Sequence, residues 1–64
     1  MKKYYAVATT ITDKFIKCTL VAIEKRESKP EGSFRSTPVA DYYIDWFESA
    51  DEAVEFMGKN NKNL

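Results

Sequence analysis

Hydrophobic and polar residues alternate with a period of two along three stretches of the chain, residues 4–11, 14–25 and 39–47. This period is typical of β-strands, in which successive side chains point to opposite faces of the sheet. Residues 12 and 13, Thr-Asp, separate the first two stretches and predict a tight turn. We therefore expect a β-hairpin and, later in the chain, a third strand.

The third stretch continues directly into a segment with helical spacing. Residues 41–57, DYYIDWFESADEAVEFM, predict a strand followed by a short amphipathic helix. Ser49 and Glu52 have the spacing of a capping box, in which both side chains accept hydrogen bonds from backbone N–H groups at the helix start. One apolar stripe follows, formed by Ala50, Ala53, Val54 and Met57. Gly58 is then the expected end of the helix.

The predicted fold class is α+β, a three-stranded antiparallel sheet (β-β-β-α) with one C-terminal helix packed on one face. Residues 1–58 are expected to form a single small domain, and residues 59–64, KNNKNL, a polar flexible tail. We expect the strand order 1-2-3, because consecutive strands usually pair. The alternative places the third strand beside the first. Residues 26–38, RESKPEGSFRSTP, hold both prolines and predict a flexible loop long enough for either order.

The alternation also assigns residues to the two faces of the sheet. We expect the helix to approach Ala6 and Ala8 and to cover the apolar positions of the later strands, Ile16, Cys18, Leu20, Ala22, Ala40, Tyr42, Ile44 and Trp46. The opposite face would then be apolar and aromatic with a charged fringe, which is typical of an interaction site. The predicted partner-binding surface on this face comprises Tyr5, Val7, Lys17, Val21, Ile23, Asp41 and Tyr43. The expected partner is a second copy, giving a dimer, or another protein.

The composition limits the chemistry of the chain, because its 64 residues include one cysteine and no histidine. Domains of this size often need a disulfide, a metal or a partner for stability. Cys18 alone cannot close an intramolecular disulfide, and no zinc-ligand spacing is present, so a partner is favoured. Among possible acid–base groups, Asp41 and Asp45 would lie about 13 Å apart along a strand, too far for a carboxylate pair. We therefore expect no catalysis, no metal and no cofactor.

Charge is distributed unevenly along this neutral chain. Residues 1–36 contain eight Lys/Arg and four Asp/Glu, whereas residues 37–64 contain two and six. Basic side chains, beginning with Lys25, flank the long loop, and one ring there could stack on bases. The alternative nucleic-acid site comprises Arg26, Lys29, Phe34 and Arg35. The overall neutrality makes nucleic acid the less favoured partner. No signal peptide or membrane-spanning run is visible, so we expect a cytoplasmic protein that does not contact membranes.

Two segments also suggest a family. Residues 2–10, KKYYAVATT, and 48–56, ESADEAVEF, together with the order of elements, resemble the partly degraded RNase-H-like fold of HicB-type antitoxins. In that family a short β-β-β unit ends in a helix opened by a similar Ser/Thr-x-x-Glu-Ala pattern. Its Pro-Asp-Leu-Pro-Gly segment is replaced here by RESKPEGSFRSTP. The resemblance implies an antitoxin-like, nucleic-acid-binding regulator. Compact inhibitors encoded by phages and mobile elements would show a similar β-β-β-α order, so a small inhibitor of that kind is a further alternative. The residues themselves favour a small non-catalytic interaction module.

Overall fold

The computed structural model describes all 64 residues and contains five β-strands and one α-helix. The elements are, in chain order, β1 (Lys2–Ile11), β2 (Phe15–Arg26), β3 (Ser33–Ser36), β4 (Asp41–Phe47), α1 (Ala50–Asn60) and β5 (Lys62–Asn63). All five strands form one antiparallel sheet in the order β3-β4-β1-β2-β5. The prediction of a three-stranded sheet is therefore wrong, although the broad α+β class and the C-terminal helix agree with it.

The strand predicted as the third, β4, lies beside β1 and not beside β2. The expected order 1-2-3 is thus wrong, and the alternative order is the one observed. β1 is the central strand and pairs with β2 and β4 along most of its length. The central position suits β1 because residues 4–11 contain no charged side chain. Charged residues instead occur on β2, where they suit a strand near the edge of the sheet.

The two short strands, β3 and β5, come from segments predicted to be a loop and a tail. β3 pairs with the start of β4, and its hairpin turn is held by Thr37, whose N–H donates to Ala40 O at 2.8 Å. Ala40 N–H in turn donates to Thr37 Oγ1 at 3.1 Å. β5 pairs with Phe15 and Ile16 at the start of β2. Both strands are short and polar, so residue alternation did not reveal them.

The helix begins where it was predicted to begin. Ser49 is the N-cap, and its side-chain hydroxyl accepts a hydrogen bond from Glu52 N–H at 3.1 Å. Asp51 and Glu52 lie in the first turn and Lys59 in the last, as the helix dipole favours. Local sequence therefore determines the start of α1. At eleven residues, this one helix is too short and too polar to cross a membrane.

The C-terminal end of the helix differs from the prediction. α1 passes through Gly58 and ends at Asn60, so Gly58 is not the stop. Asn61 caps the helix instead, because its backbone N–H and its Nδ2 both donate to Met57 O, at 3.1 and 2.7 Å. Residues 59–64, predicted as a tail, thus comprise the last helical residues, this cap, β5 and Leu64.

The core lies between α1 and the face of the sheet that carries Tyr5 and Val7. Val7 is 0% exposed and forms the centre of the core with Cys18 and Ala53. Partly buried side chains surround this centre, namely Tyr5, Phe47, Phe56 and Met57. The expectation that the helix covers Ala6 and Ala8 is wrong. Covering Tyr5 and Val7 removes more apolar area from water than covering two alanines would, and so stabilises the fold more.

Candidate functional site

The helix packs on the sheet between the end of β4 and the middle of β2. α1 starts directly after Phe47 at the end of β4, and the rings of Phe47 and Phe56 lie 5.0 Å apart. Its other end reaches β2, where Asn61 Oδ1 accepts a hydrogen bond from Cys18 N–H at 2.7 Å. The part of β2 beyond Cys18 therefore lies outside the area covered by the helix.

Three apolar side chains are exposed in this uncovered part of β2. Leu20 is 40% exposed, Val21 54% and Ile23 53%. We call these three residues the β2 patch. Exposed apolar side chains that form a contiguous patch commonly mark an interaction site.

A β-bulge at Val21 gives the β2 patch its arrangement. Ala6 is opposite Ala22, whereas the next residue, Val7, is opposite Leu20, so Val21 is an extra residue on β2. Leu20 and Ile23, although three positions apart, are therefore opposite Val7 and Tyr5, which share one face of β1. The bulge thus brings two large aliphatic side chains onto the same face as the helix.

The outer edge of β2 has no strand partner along most of its length. β5 pairs only with Phe15 and Ile16, and the Asn61 side chain takes up Cys18 N–H. From residue 19 to residue 26, no hydrogen bond engages the backbone groups on the side away from β1. Such an edge can accept another strand, and natural proteins usually cover or disrupt edges of this kind.

Basic residues from two strands meet at the end of the sheet next to the β2 patch. Lys2 lies opposite Arg26, and Lys3 lies opposite Lys25. We call these four residues the cationic end. Arg26 pairs with Glu24, its Nε lying 2.9 Å from Glu24 Oε1. The other three have no carboxylate within salt-bridge distance, although like charges at directly opposite positions destabilise a sheet.

The predicted partner-binding residues are divided among several places in the structure. Tyr5 and Val7 lie under the helix, and Val7 is inaccessible. Asp41 and Tyr43 are on β4, where Asp41 accepts a hydrogen bond from Ser36 Oγ at 2.6 Å. Lys17 pairs with Thr10, so it lies on the face opposite the helix. Only Val21 and Ile23 belong to the β2 patch.

The predicted alternative site in the loop is also divided. Arg26 belongs to the cationic end, and Lys29 lies in the connection between β2 and β3. Phe34 and Arg35 are successive residues of β3 and therefore point to opposite faces. The Phe34 ring lies 4.8 Å from that of Tyr43, and the Arg35 guanidinium lies 5.2 Å from the centre of the Tyr42 ring. These four residues do not form one surface.

The sequence prediction missed Leu20 and Lys3, and it considered Lys25 only as one of the basic residues beside the loop. Leu20 was placed under the helix by alternation, which did not anticipate how far α1 reaches along β2. Lys3 and Lys25 are 22 positions apart and become neighbours only through the hairpin register. The one available signal was that Lys-Lys precedes the first strand while Lys-Arg ends the second.

Two titratable side chains, Cys18 and Glu55, have local partners. The Cys18 thiol is buried, and its Sγ lies 3.3 Å from Thr9 Oγ1. Glu55 accepts a hydrogen bond from Lys59, and this contact, with the positive charge of Lys59, lowers the pKa of Glu55.

No protein-family model matches the chain, and no curated protein or solved structure is significantly similar to it. The resemblance to HicB-type antitoxins therefore rests on the short segments described above and on a predicted β-β-β-α order, to which the structure adds two strands. Any function has to be inferred from the geometry of the surface itself.

Proposed function

We propose that the protein is a small non-catalytic module that binds a protein partner, or a second copy of itself, through the β2 patch. The observation that carries this proposal is the coincidence of three neighbouring exposed apolar residues with a strand edge that lacks a partner. Either feature alone is common in small domains. Together they provide both apolar area and backbone hydrogen-bonding groups for an association.

Three other exposed apolar side chains, Val39, Val54 and Phe34, do not form a comparable surface. Val39 lies in the turn between β3 and β4, Val54 lies on the helix, and Phe34 stacks on Tyr43 at the opposite edge of the sheet. Each of these residues is on a different element. The β2 patch is therefore the favoured contact surface.

The proposal also assigns the protein no catalytic role and a cytoplasmic location. Support for the first comes from the engagement of Cys18 with Thr9 and of Glu55 with Lys59. Support for the second comes from the free, buried thiol of Cys18, since unpaired cysteines are usual in reducing compartments.

The proposal is tested with Ile23→Glu and the matched control Val54→Glu. Both residues are aliphatic and similarly exposed, at 53% and 61%, but Val54 is on the helix. Self-association is measured by sedimentation over a wide concentration range, and partner capture by affinity purification from cells of the source organism with mass spectrometry. We expect Ile23→Glu to abolish the association and Val54→Glu to leave it unchanged. Equal behaviour of the two variants would contradict the proposal.

Nucleic acid is the second candidate partner, and the cationic end is the observation that favours it. Lys3 and Lys25 lie opposite each other without carboxylate partners, and Lys2 is next to Lys3 on β1. Binding of a labelled single-stranded oligonucleotide, followed by fluorescence anisotropy, would weaken as salt increases and would be reduced in Lys3→Glu. Absence of binding at low salt would exclude this candidate.

A further inference from the structure

We propose that β2 binds an extended, acidic segment of a protein partner, which adds to the sheet as a further strand beside residues 19–25. This inference rests on the proposed function and specifies its mode and the chemistry of the partner. It combines three features of the same strand: the free backbone edge, the β2 patch and the cationic end.

Several backbone N–H groups of β2 point away from β1 and are free to bond an added strand. Cys18 N–H points away from β1, because it donates to Asn61. Backbone N–H and C=O groups alternate in direction along a strand, so those of Leu20, two residues after Cys18, also point away from β1. Leu20 pairs with Val7, and the next two alternate residues of β1, Tyr5 and Lys3, pair with Ile23 and Lys25. The N–H groups of Ile23 and Lys25 therefore also point away from β1. An added strand would thus find donors and acceptors at three positions.

The bulge at Val21 also places two exposed side chains where an added strand would contact them. Leu20 and Ile23 lie on the same face as Val7 and Tyr5, and both remain exposed beside the helix. Alternate side chains of an added strand point to one face, so two of them would pack on Leu20 and Ile23. Apolar residues at those alternate positions would bury the exposed part of the β2 patch.

The charges at this end of β2 favour an acidic segment over a second copy of β2 as the added strand. Lys25 follows Ile23 by two residues and lies on the same face, opposite Lys3. A carboxylate on the added strand beside Lys25 would relieve the repulsion between these two ammonium groups. A second β2 strand offers one carboxylate, Glu24, which already pairs with Arg26. An acidic segment therefore complements the edge better than self-pairing does.

The test uses a display library of random eight-residue peptides, selected on the wild-type protein and counter-selected on Ile23→Glu. We expect enrichment of sequences with alternating aliphatic residues and an excess of Asp and Glu at one end. The enriched peptide is then synthesised, and its affinity is measured by titration while amide shifts of β2 are followed by NMR. Selection of neutral or basic sequences, or of none, would overturn the inference.

Two sets of variants separate strand addition from other modes of binding. Methylating the peptide N–H groups that face β2 should weaken binding at least about fivefold, whereas methylating the alternate N–H groups should not. Lys25→Glu should weaken binding similarly, and a peptide with Lys in place of its acidic residues should bind Lys25→Glu better than wild type. Lys14→Glu, an exposed residue at the opposite end of the hairpin, is the matched control. Insensitivity to the methylated positions would overturn strand addition.

The alternatives give distinct results. Concentration-dependent dimerisation that Ile23→Glu abolishes, without selection of acidic peptides, would overturn this inference and retain the proposed function. Binding of an oligonucleotide but of no peptide, lost in Lys25→Glu and retained in Ile23→Glu, would overturn both.

Discussion

The side-chain amide of Asn61 pairs with the backbone of Cys18 in the manner of a neighbouring strand. Asn61 Oδ1 accepts the Cys18 N–H at 2.7 Å, and Asn61 Nδ2 lies 3.5 Å from Cys18 O. The same Nδ2 donates to Met57 O in the last turn of the helix. One side chain thus caps α1 and attaches it to the outer edge of β2. It also marks the point beyond which that edge is free.

The first prediction concerns this attachment. Asn61→Ala should lower the free energy of unfolding by about 1–3 kcal/mol, because a part-buried Cys18 N–H loses its acceptor and the helix loses a cap. Urea denaturation measures the loss, and hydrogen exchange should become faster at the Cys18 amide. Asn63→Ala is the control, since Asn63 is exposed and contributes to β5 through its backbone. Equal losses in both variants would contradict this role of Asn61.

The second prediction compares two valines on adjacent strands. Val7 is 0% exposed under the helix, whereas Val21 is 54% exposed at the bulge. Val7→Ala should cost about 1–3 kcal/mol of folding free energy, because it removes buried methyl groups and leaves a cavity. Val21→Ala should cost much less. Thermal melts of the two variants decide the matter, and a larger loss for Val21→Ala would refute the face assignment.

Local sequence was sufficient to predict the strand-to-helix junction and the first hairpin. The hydroxyl of Ser49 satisfies the Glu52 N–H three residues later, and this spacing is visible without tertiary information. Local sequence could not predict that β1 is the central strand. That position depends on β4 pairing with β1 instead of β2, and a long connection between β2 and β4 allows either pairing. The helix-covered face was assigned wrongly for β1 and β4, whereas Cys18 on β2 was correctly placed under the helix.

The residues of the candidate site were also predicted only in part. Val21 and Ile23 were included in the predicted surface, but alternation counts every residue and cannot detect the extra one in a bulge. The alternation pattern therefore placed Leu20 and Ile23 on opposite faces of the sheet. The pairing of Lys3 with Lys25 depends on the register of the hairpin, which the turn sequence alone did not define. Long-range pairing accounts for both omissions.

The third prediction uses the two glycines, which lie in opposite environments. Gly58 is in the helix interior, and a Cβ there would meet no atom within 4 Å. Gly58→Ala should therefore raise the free energy of unfolding by about 0.5–1 kcal/mol through helix propensity. A Cβ at Gly32 would lie 2.6 Å from Ile44 O, so Gly32→Ala should destabilise the protein and loosen β3 from β4. Chemical denaturation of both variants provides the check, and shifts of the same sign would contradict it.

The fourth prediction concerns the pH dependence of the helix. Lys59 Nζ lies 2.9 Å from Glu55 Oε1, and the hydrogen bond and positive charge lower the pKa of Glu55 below its ordinary value of 4.5. Because the pKa is lowered in the folded state, this contribution to stability is present above pH 4.5 and disappears as pH falls through the folded-state pKa. In Lys59→Met, the pKa of Glu55 from NMR titration should rise towards 4.5, and the variant's loss of stability should vanish in acid. Lys62→Met, which removes an exposed lysine outside the helix, should leave the pKa of Glu55 unchanged. An identical titration of Glu55 in wild type and Lys59→Met would show that the pair does not persist in solution.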